Sequence, residues 1–267
     1  MVYPPANPQM GDSVSFAIIA HRGFSSQAPE NTLAAFDLAL ASGFRNIEFD
    51  VHLSSDGVPV VIHDPTVNRT TDGTGKISKM PISVIRELDA GSWFSPPQEF
   101  AFQNEKVPEL EEVLLRYHGL AHLYIELKSE EPELVENVHY LLEHTGWLKG
   151  KRKKSANESS SLWIISFNLQ QLTRSKQSLP DLSHGYLVLW PDTSTLDVCA
   201  ENKFEKCFPH ISGINPAFLD AAQEKGVSIG IWGASAPAEI LQAKNLGVSS
   251  ATVDWPDTVR TLLSLPE

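Results

Sequence analysis

Short apolar segments alternate with amphipathic helical segments along most of this sequence, and this alternation constrains the fold more than any other feature. Nine segments have the length and composition of strands: 15–20, 46–51, 58–62, 123–127, 161–166, 185–190, 211–214, 227–232 and 250–254. Six others place apolar residues at helical spacing: 31–42, 108–118, 132–145, 168–178, 216–225 and 236–246. Strands that alternate with helices of this length predict βαβ units and a parallel sheet.

One of the nine strands differs from the others in its connection. Only the short run HLSSDG separates Val51 from Val58, whereas a parallel crossover needs about a dozen residues or more. The run at 54–57, Ser-Ser-Asp-Gly, is typical of a hairpin turn, so the strand at 58–62 is predicted to run antiparallel to its predecessor. Eight parallel strands remain. With a length of 267 residues, they predict an α/β fold, a closed (β/α)8 or TIM barrel that forms a single domain over residues 1–267.

Two stretches interrupt the alternation. Residues 64–107 are too long for a loop between a strand and a helix, and they are rich in turn residues. We expect an inserted cap subdomain at the C-terminal mouth of the barrel, because long loops in compact domains are usually functional. Residues 149–161 are basic and then polar, without interleaved aromatic residues. A solvated surface loop is expected there rather than a nucleic-acid patch.

Charge and cysteine content narrow the class of protein further. With 21 Lys and Arg against 33 Asp and Glu, the formal net charge is −12, which argues against a broad nucleic-acid or anionic-membrane surface. No segment approaches the roughly 20 apolar residues of a membrane span, and the N-terminus lacks a secretory signal pattern. Cys199 and Cys207 are too few for a disulfide framework. We expect a cytoplasmic protein that acts on a small molecule, without nucleic acid or stable membrane insertion.

Acidic residues stand on two neighbouring predicted strands near their C-terminal ends, where a (β/α)8 barrel carries its catalytic groups. Glu48 and Asp50 are two positions apart on one strand, so their side chains point to the same face. Glu126 on the adjacent parallel strand adds a third carboxylate. Carboxylates that lie together inside a barrel need a shared proton or a cation. Three hard oxygen ligands without cysteine are suited to one divalent ion: Mg²⁺, Ca²⁺ or Mn²⁺.

Two histidines are expected at the rim of this carboxylate cluster. With the hairpin turn centred near residues 55–56, paired positions have numbers that add to about 111, within one residue. Glu48 then lies opposite His63, which is thereby brought to the cluster. His21 reaches the same rim because it ends the first predicted strand.

These groups are suited to phosphoryl-oxygen transfer. A divalent cation, together with Arg22 and Lys128, can neutralise the charge that builds on the non-bridging oxygens of a phosphate. One imidazole can accept a proton from the attacking hydroxyl, and the other can protonate the leaving alkoxide. The sequence therefore predicts metal-assisted cleavage of a phosphodiester.

Nine short blocks stand in order along the chain: Ile19-Ala20-His21-Arg22-Gly23, Ala28-Pro29-Glu30-Asn31-Thr32, Glu48-Phe49-Asp50-Val51, Asp56-Gly57, Val60-Val61-Ile62-His63-Asp64, Ile125-Glu126-Leu127-Lys128, Ser166-Phe167-Asn168, the strand that ends at Trp232, and Val253-Asp254-Trp255-Pro256. Together they resemble the signature of the glycerophosphodiester phosphodiesterase family. The resemblance implies a metal-dependent barrel enzyme that hydrolyses deacylated phospholipids, such as glycerophosphocholine or glycerophosphoethanolamine, to glycerol 3-phosphate and an alcohol.

The resemblance also implies roles for individual residues. The family's acid–base pair is matched by His21 and His63, its metal ligands by Glu48, Asp50 and Glu126, and its phosphate-contacting cations by Arg22 and Lys128. The insertion at 64–107 matches the small cap of family members. Asn31 either shapes the first loop between strand and helix or caps the helix at 32–42.

The sequence departs from the family pattern in the loop after Trp232, and this departure bears on which alcohol the enzyme releases. The family typically continues after the tryptophan with Thr, a small apolar residue and Asn, but here Trp232 is followed by Gly-Ala-Ser, which leaves the alcohol specificity open. We expect Trp232 and Phe94 to contact the substrate. For Trp93 and Phe94, packing against the glycerol or headgroup and forming the cap's own small core are equally compatible with the sequence.

Two other functions fit the same residues. A lysophospholipase D, or a lyase that forms a cyclic phosphate, could use the same barrel. A membrane-active version would need an exposed apolar patch near the mouth, and the cap offers only Trp93-Phe94 and Phe100-Ala101-Phe102. A catalytically silent barrel that binds a phosphate metabolite would be expected to lack an acid–base or ligand residue, whereas all of these positions carry a competent residue type.

Overall fold

The computed structural model describes residues 16–94, 102–149 and 161–264. Within these ranges, the strands are β1 Ala17–His21, β2 Asn46–Leu53, β3 Pro59–Val61, β4 His122–Leu127, β5 Leu162–Ser166, β6 Ser183–Val188, β7 Lys206–Pro209, β8 Ser228–Ile231 and β9 Ser250–Val253. Their spatial order is β1-β9-β8-β7-β6-β5-β4-β2-β3, and pairing of β1 with β2 closes the ring. Every pairing is parallel except that of β2 with β3. The predicted (β/α)8 barrel is confirmed.

The helices are α1 Leu33–Ala41, α2 Ile82–Ile85, α3 Leu110–Tyr117, α4 Glu133–His144, α5 Leu169–Ser178, α6 Thr193–Asn202, α7 Pro216–Glu224, α8 Pro237–Asn245 and α9 Pro256–Ser264. Short polar side chains begin several of them by accepting a backbone hydrogen bond in the first turn, as Thr32, Asn168 and Asn215 do. No helix in the described ranges is both long and apolar enough to cross a bilayer.

The strand predicted at 211–214 is wrong. Residues Ile211–Gly213 form a single 3₁₀ turn, and the strand lies earlier, at β7. The turn is held because Nδ1 of His210 accepts the backbone N–H of Ser212. β7 was missed because it begins with Lys206, a charged residue that is buried in the structure. Three helices, α2, α6 and α9, lie outside the predicted helical segments.

The hairpin of β2 and β3 is confirmed. Val51 pairs with Val61 and His52 with Val60. The residue numbers of each pair therefore add to 112, which is within one residue of the predicted sum of 111. The backbone N–H of Ile62 then donates to the carbonyl of Asp50 at 3.0 Å, which carries the chain past the carboxylates to His63.

The described part of the 64–107 segment packs on this hairpin. Its 3₁₀ turn Ile77–Lys79 and helix α2 share a separate apolar cluster, which consists of Val60, Ile62, Val67, Ile77, Ile85, Ala90 and Val107. The backbone N–H of Ser55 donates to the carbonyl of Met80 at 2.9 Å. Residues 95–101, and residues 150–160 of the basic and polar stretch, lie outside the described ranges.

The core has two layers. The larger layer lies between the barrel and its helices, and a smaller cluster of Ile19, Tyr124, Ile165, Leu187 and Phe208 fills the barrel interior. Side chains alternate across each strand. His21 is two residues beyond Ile19, and Glu126 is two beyond Tyr124, so both point inward at the C-terminal end.

Lys206 is an unusual member of the barrel interior. Its Nζ lies 5.3 Å from the ring centroid of Trp163 and 5.6 Å from that of Phe208, and it donates to the Ser250 hydroxyl at 3.2 Å. Burial lowers the pKa of this lysine to about 8, because the charged form is poorly solvated there.

We expect Lys206→Met to stabilise the protein at neutral pH. Unfolding returns the lysine to a pKa of about 10.4, so the unfolded chain binds more protons between about pH 8 and 10.4, and wild-type stability rises with pH across that window. The buried charge costs about 3 kcal/mol at neutral pH. The variant should gain up to this amount in urea unfolding at about pH 7 and lose the gain as the pH approaches 10.4.

The exposed Lys244 on α8 provides the control, since Lys244→Met should change the free energy of unfolding by no more than about 0.5 kcal/mol. A Lys206→Met gain that stays constant as the pH rises would contradict the explanation, because packing alone would then account for it.

Candidate active site

A cavity of about 240 Å³ opens at the C-terminal ends of the barrel strands. Its lining consists of His21, Arg22, Glu48, His63, Glu126, Lys128, Ile165, Phe167, Leu187, Trp232 and Thr252. Of the predicted site residues, all but Asp50 and Phe94 are part of this lining. Asp50 is fully buried beside it.

Glu48, Asp50 and Glu126 form one buried carboxylate cluster. Asp50 on β2 pairs in register with Glu126 on β4, and each of the three residues offers a carboxylate oxygen within 4.8 Å of the other two. Oε1 of Glu48 and Oδ1 of Asp50 are buried and accept no hydrogen bond from the described part of the chain. Oδ1 of Asp50 lies 3.5 Å from Nζ of Lys128. Clustered carboxylate oxygens of this kind are the ligands that a hard divalent cation prefers.

The pKa values of the three acids diverge because their neighbours differ. Burial, followed by repulsion from Asp50, raises the pKa of Glu126 to about 7. The same two causes raise the pKa of Glu48 well above its ordinary value. Burial would also raise the pKa of Asp50, but Arg22 and Lys128 outweigh it and lower that pKa to about 2. Three acids that repel each other in the absence of a cation are electrostatically suited to hold one.

Arg22 is held in a left-handed conformation, with φ of 54°. Its backbone N–H donates to Oε2 of Glu48 at 3.1 Å. The guanidinium donates to Glu30 at 2.8 Å and lies 3.2 Å from Oδ2 of Asp50. The following Gly23 has φ of 84°, and a Cβ there would lie 2.7 Å from Ala35, so this turn requires glycine. The tight turn aims both the backbone and the side chain of Arg22 at the carboxylates.

Asn31 contacts Asp50 through both atoms of its amide group. Its Nδ2 donates to Oδ2 of Asp50 at 2.9 Å, and its Oδ1 accepts the backbone N–H of Asp50 at 3.3 Å. Thr32, not Asn31, caps α1, so the capping interpretation of Asn31 is wrong. With φ of 58°, Asn31 adopts a conformation that asparagine tolerates better than most residues. It orients one carboxylate of the cluster.

We expect Asn31→Gly to lower activity by about 10- to 100-fold, the usual effect of removing a residue that orients a metal ligand. Glycine accepts the positive φ, so the substitution removes the amide without adding backbone strain. Asn104→Gly is the matched control, since Asn104 also has a positive φ, 68°, but is exposed. Equal activities of the two variants would show that the contact with Asp50 is dispensable.

His21 is oriented by an acid from the last strand. Its Nδ1 donates to Oδ1 of Asp254 at 2.6 Å, and the Ser25 hydroxyl donates to the same oxygen at 2.9 Å. Nε2 of His21 lies 3.9 Å from Oε2 of Glu48. Burial opposes ionisation of Asp254, but the hydrogen bond from His21 outweighs it and lowers the pKa of Asp254. The fixed Nδ1 leaves Nε2 as the nitrogen available to a substrate.

His63 is held directly by Asp64 and His52 and indirectly by Arg69. Its Nδ1 donates to Asp64 at 2.7 Å, and its backbone carbonyl accepts the Nε2–H of His52 at 2.9 Å. Arg69 donates to both oxygens of Asp64 and to both oxygens of Glu30. Burial is the main cause that lowers the pKa of His63. Arg69 thus links the 64–107 segment to the site.

The two predicted aromatic contacts differ in their placement. Trp232 lines the cavity, its Nε1 donates to the carbonyl of Phe208 at 3.0 Å, and its ring lies 5.3 Å from that of Phe167. Phe94 does not contribute to the cavity lining among the described residues. Its ring packs edge-on against Trp93 and Phe102, 5.7 Å from each, which agrees with the alternative that it belongs to the cap's own core.

Several residues of the site had no predicted role: His52, Asp64, Arg69 and Asp254. For Asp254 a signal was present in the sequence, since a polar residue directly after a barrel strand lies at the catalytic end. Asp64 also had a signal, since it directly follows His63 in the sequence. His52 and Arg69 act through contacts that depend on the path of the hairpin and of the inserted segment.

Comparison with known proteins gives a consistent result. Residues 21–258 match the Glycerophosphoryl diester phosphodiesterase family. The glycerophosphodiester phosphodiesterase of Caldanaerobacter subterraneus is 31% identical over 250 residues, which are 92% of this chain and 97% of that protein. A solved structure of an Oleispira antarctica phosphodiesterase in complex with the product sn-glycerol-3-phosphate aligns with a TM-score of 0.82 and 29% identity, over 93% of this chain and 97% of that one. The crystal structure of glycerophosphodiester phosphodiesterase from Agrobacterium tumefaciens aligns with a TM-score of 0.77 and 30% identity, over 92% of this chain and 99% of that one.

The matched range begins at His21, the last residue of β1, and ends in α9, so it contains the other eight strands and every residue of the carboxylate cluster. The relatives are similar over nearly their full length, and the solved structures share the fold as well as the sequence. The chain therefore belongs to the glycerophosphoryl diester phosphodiesterase family of enzymes.

Proposed function

We propose that the chain hydrolyses glycerophosphodiesters such as glycerophosphocholine and glycerophosphoethanolamine to sn-glycerol 3-phosphate and an alcohol, with His21 and His63 as the acid–base pair. One observation carries the proposal: both imidazoles line the same cavity as Arg22, Lys128 and two acids of the carboxylate cluster, Glu48 and Glu126. A related phosphodiesterase has been solved with sn-glycerol-3-phosphate as its product, which supports the glycerophosphate side of the substrate.

The carboxylates fit one divalent ion. Glu48, Asp50 and Glu126 would hold it, because they supply clustered oxygens of which two accept no hydrogen bond from the described residues. Mg²⁺ or Ca²⁺ is the expected ion, with Mn²⁺ as an alternative, since all three prefer oxygen ligands. When bound, the ion supplies Lewis-acid stabilisation of the charge on a phosphoryl oxygen.

The cationic side chains bind and orient the phosphate. Burial opposes the charge of Lys128 and of Arg22, yet the neighbouring acids outweigh it and raise the pKa of both. Both side chains therefore stay charged at neutral pH. Each can donate to the non-bridging oxygens, which gain charge as the new P–O bond forms.

The histidines move the proton. One imidazole accepts it from the attacking hydroxyl as oxygen bonds to phosphorus, and the other gives a proton to the alcohol oxygen as that P–O bond breaks. Asp254 fixes the ring of His21 and Asp64 that of His63, so each keeps Nδ1 protonated and presents Nε2 to the cavity. The proton that one imidazole accepts is matched by the proton that the other donates to the leaving alcohol.

The test is hydrolysis of glycerophosphocholine by the intact chain with Mg²⁺ or Ca²⁺, followed by ³¹P NMR for the phosphorus-containing products and ¹H NMR for the released alcohol. We expect sn-glycerol 3-phosphate and choline in equal amounts. Phosphocholine and glycerol as products would contradict the proposal, because they require cleavage of the other P–O bond. A transient cyclic phosphate signal would identify the glycerol hydroxyl, rather than water, as the first attacking group.

A further inference from the structure

A continuous chain of hydrogen bonds joins two side chains of the active site through Arg69, a residue of the inserted segment. Nη1 of Arg22 donates to Oε1 of Glu30 at 2.8 Å, and Nδ1 of His63 donates to Oδ1 of Asp64 at 2.7 Å. Nη2 of Arg69 donates to these same two oxygens, at 2.8 Å and 2.9 Å. A single nitrogen of Arg69 therefore shares one acceptor with the arginine of the cavity and another with a histidine of the cavity.

The other nitrogens of the Arg69 guanidinium complete a double fork. Nη1 donates to Oε2 of Glu30 at 2.7 Å, and Nε donates to Oδ2 of Asp64 at 2.9 Å. Each carboxylate thus receives two hydrogen bonds from one rigid plane, an arrangement that fixes direction as well as distance. A lysine ammonium has no such planar fork. The guanidinium sets how far apart the two acids lie and how each is turned.

Arg69 also favours the charged form of both acids. Hydrogen bonds from Arg69 are the main cause that lowers the pKa of Asp64. Burial opposes the ionisation of Glu30, but the hydrogen bonds and charges of Arg69 and Arg22 outweigh it and lower the pKa of Glu30. Each carboxylate oxygen has room for more than one donor, so each acid can hold Arg69 and its partner in the cavity together.

The inserted segment presents Arg69 on a tightly folded turn. The backbone N–H of Val67 donates to the carbonyl of Gly75 at 3.0 Å. The hydroxyl of Thr71 donates to the carbonyl of Val67 at 2.6 Å, which closes the turn around Arg69. Val67 and Thr71 are both buried. The main chain on each side of Arg69 is therefore fixed, and its long side chain starts from a defined point.

We propose that Arg69 is a positioning residue for the reaction, which fixes the spacing between the guanidinium of Arg22 and the imidazole of His63 through Glu30 and Asp64. The inference rests on the proposed function, because that function assigns Arg22 to the phosphate and His63 to the proton. Arg69 is not among the described residues that line the cavity, so it acts through the two acids. In this way the inserted segment serves the chemistry of the barrel.

The first measurement is steady-state kinetics of Arg69→Ala with glycerophosphocholine. We expect kcat to fall by about 10- to 100-fold, since a displacement of about 1 Å can lower a rate by about 100-fold. KM should change by less than about threefold, because the lost interaction acts on the transition state and not on substrate binding. The melting temperature should stay close to that of the wild type, because exposed ion pairs contribute little to stability, and the Arg69 side chain is 43% exposed.

Arg86→Ala is the matched control. Arg86 lies in the same inserted segment, its side chain is 54% exposed, and it pairs with Glu109 outside the cavity lining. This variant loses an arginine and an ion pair of similar exposure, but it leaves the contacts of Glu30 and Asp64 in place. Its kcat should stay within about twofold of the wild type.

Chemical rescue separates a positioning role from a merely structural one. Free guanidinium ion, at concentrations too low to unfold the protein, should restore much of the kcat of Arg69→Ala because it supplies the missing fork. Methylammonium and sodium at the same concentration should not, since neither has a planar set of donors. Arg69→Lys should remain slower than the wild type by about tenfold for the same reason.

The outcomes separate this inference from the function on which it rests. A wild type that does not hydrolyse glycerophosphocholine would overturn the proposed function and the inference together. An active wild type would leave the function standing, and the inference alone would then fail on any of three results. These are a kcat of Arg69→Ala within about twofold of the wild type, a slow Arg69→Ala that guanidinium restores no better than methylammonium, and full activity in Arg69→Lys.

Discussion

Replacing His21 or His63 by alanine is expected to lower kcat by about 10²- to 10⁴-fold, the usual contribution of a general acid or base. Both side chains are partly exposed in the cavity, 30% for His21 and 31% for His63, so the fold should tolerate their truncation. The double variant should be little worse than either single one, because both groups act on the same transition state. Steady-state kinetics with glycerophosphocholine and circular dichroism of each variant provide the measurements.

A substrate with an activated leaving group separates the two roles. An aryl phosphodiester of glycerol releases a phenolate that needs no proton, so it should restore the rate of the variant that lacks the acid and leave the other variant slow. His144→Ala on α4 is the control, since His144 is exposed and outside the cavity lining. Wild-type rates in either single variant would contradict the acid–base pair.

The barrel was predictable because its signals are local. Eight of the nine predicted strands match the structure in place, and the short connection after Val51 correctly identified the antiparallel one. The exception shows what a composition pattern misses. Lys206 and Pro209 interrupt the apolar pattern of β7, so the sequence predicts the strand at the apolar residues that follow. The imidazole of His210 holds those residues in a 3₁₀ turn instead.

The carboxylate cluster was predictable for a similar reason. The period of two along a strand places Glu48 and Asp50 on one face, and a parallel neighbour in register adds Glu126. The residues that orient the site were not predictable in this way. Asp254 lies 233 positions from His21, and Arg69 lies 39 positions from Glu30. Such contacts arise from barrel closure and from the path of the inserted segment.

The sequence does not predict which apolar side chains near the mouth are exposed. The sequence directed attention to the cap, where Trp93 and Phe94 stand, but those rings pack with each other and with Phe102. The exposed apolar residues at the mouth are instead Phe167 and Trp190, which follow β5 and β6. A strand that is apolar throughout gives no indication of where the barrel ends and solvent begins.

A divalent cation should stabilise the protein more at high pH than at low pH. Without the ion, Glu48 and Glu126 have pKa values raised by burial and mutual repulsion. Between about pH 4.3, where an unfolded Glu ionises, and about pH 7, the folded state binds protons that the unfolded state has released. Stability of the metal-free protein therefore falls as the pH rises through this window, and below it the contribution is fully present.

A bound cation reverses the fall in stability with rising pH, because its carboxylate ligands must be ionised. At about one hundred times its dissociation constant, the ion should add about 3 kcal/mol to the free energy of unfolding. Its affinity should rise with pH up to about 7 as Glu126 loses its proton. Thermal unfolding with EDTA and with Ca²⁺ or Mg²⁺, at several pH values, measures both effects, and activity should disappear and return with the ion.

Glu126→Gln tests the assignment of the ligands, because the amide keeps the shape of the side chain and removes the charge. Without the ion, the stability of the variant should depend less on pH than that of the wild type between about pH 4.3 and pH 7. The cation should stabilise the variant much less, and its activity should be lower by more than about 100-fold. The exposed Glu130, four residues later, provides the control as Glu130→Gln. If the cation stabilises Glu126→Gln as strongly as it stabilises Glu130→Gln, the ion is held elsewhere and the carboxylate cluster is not its site.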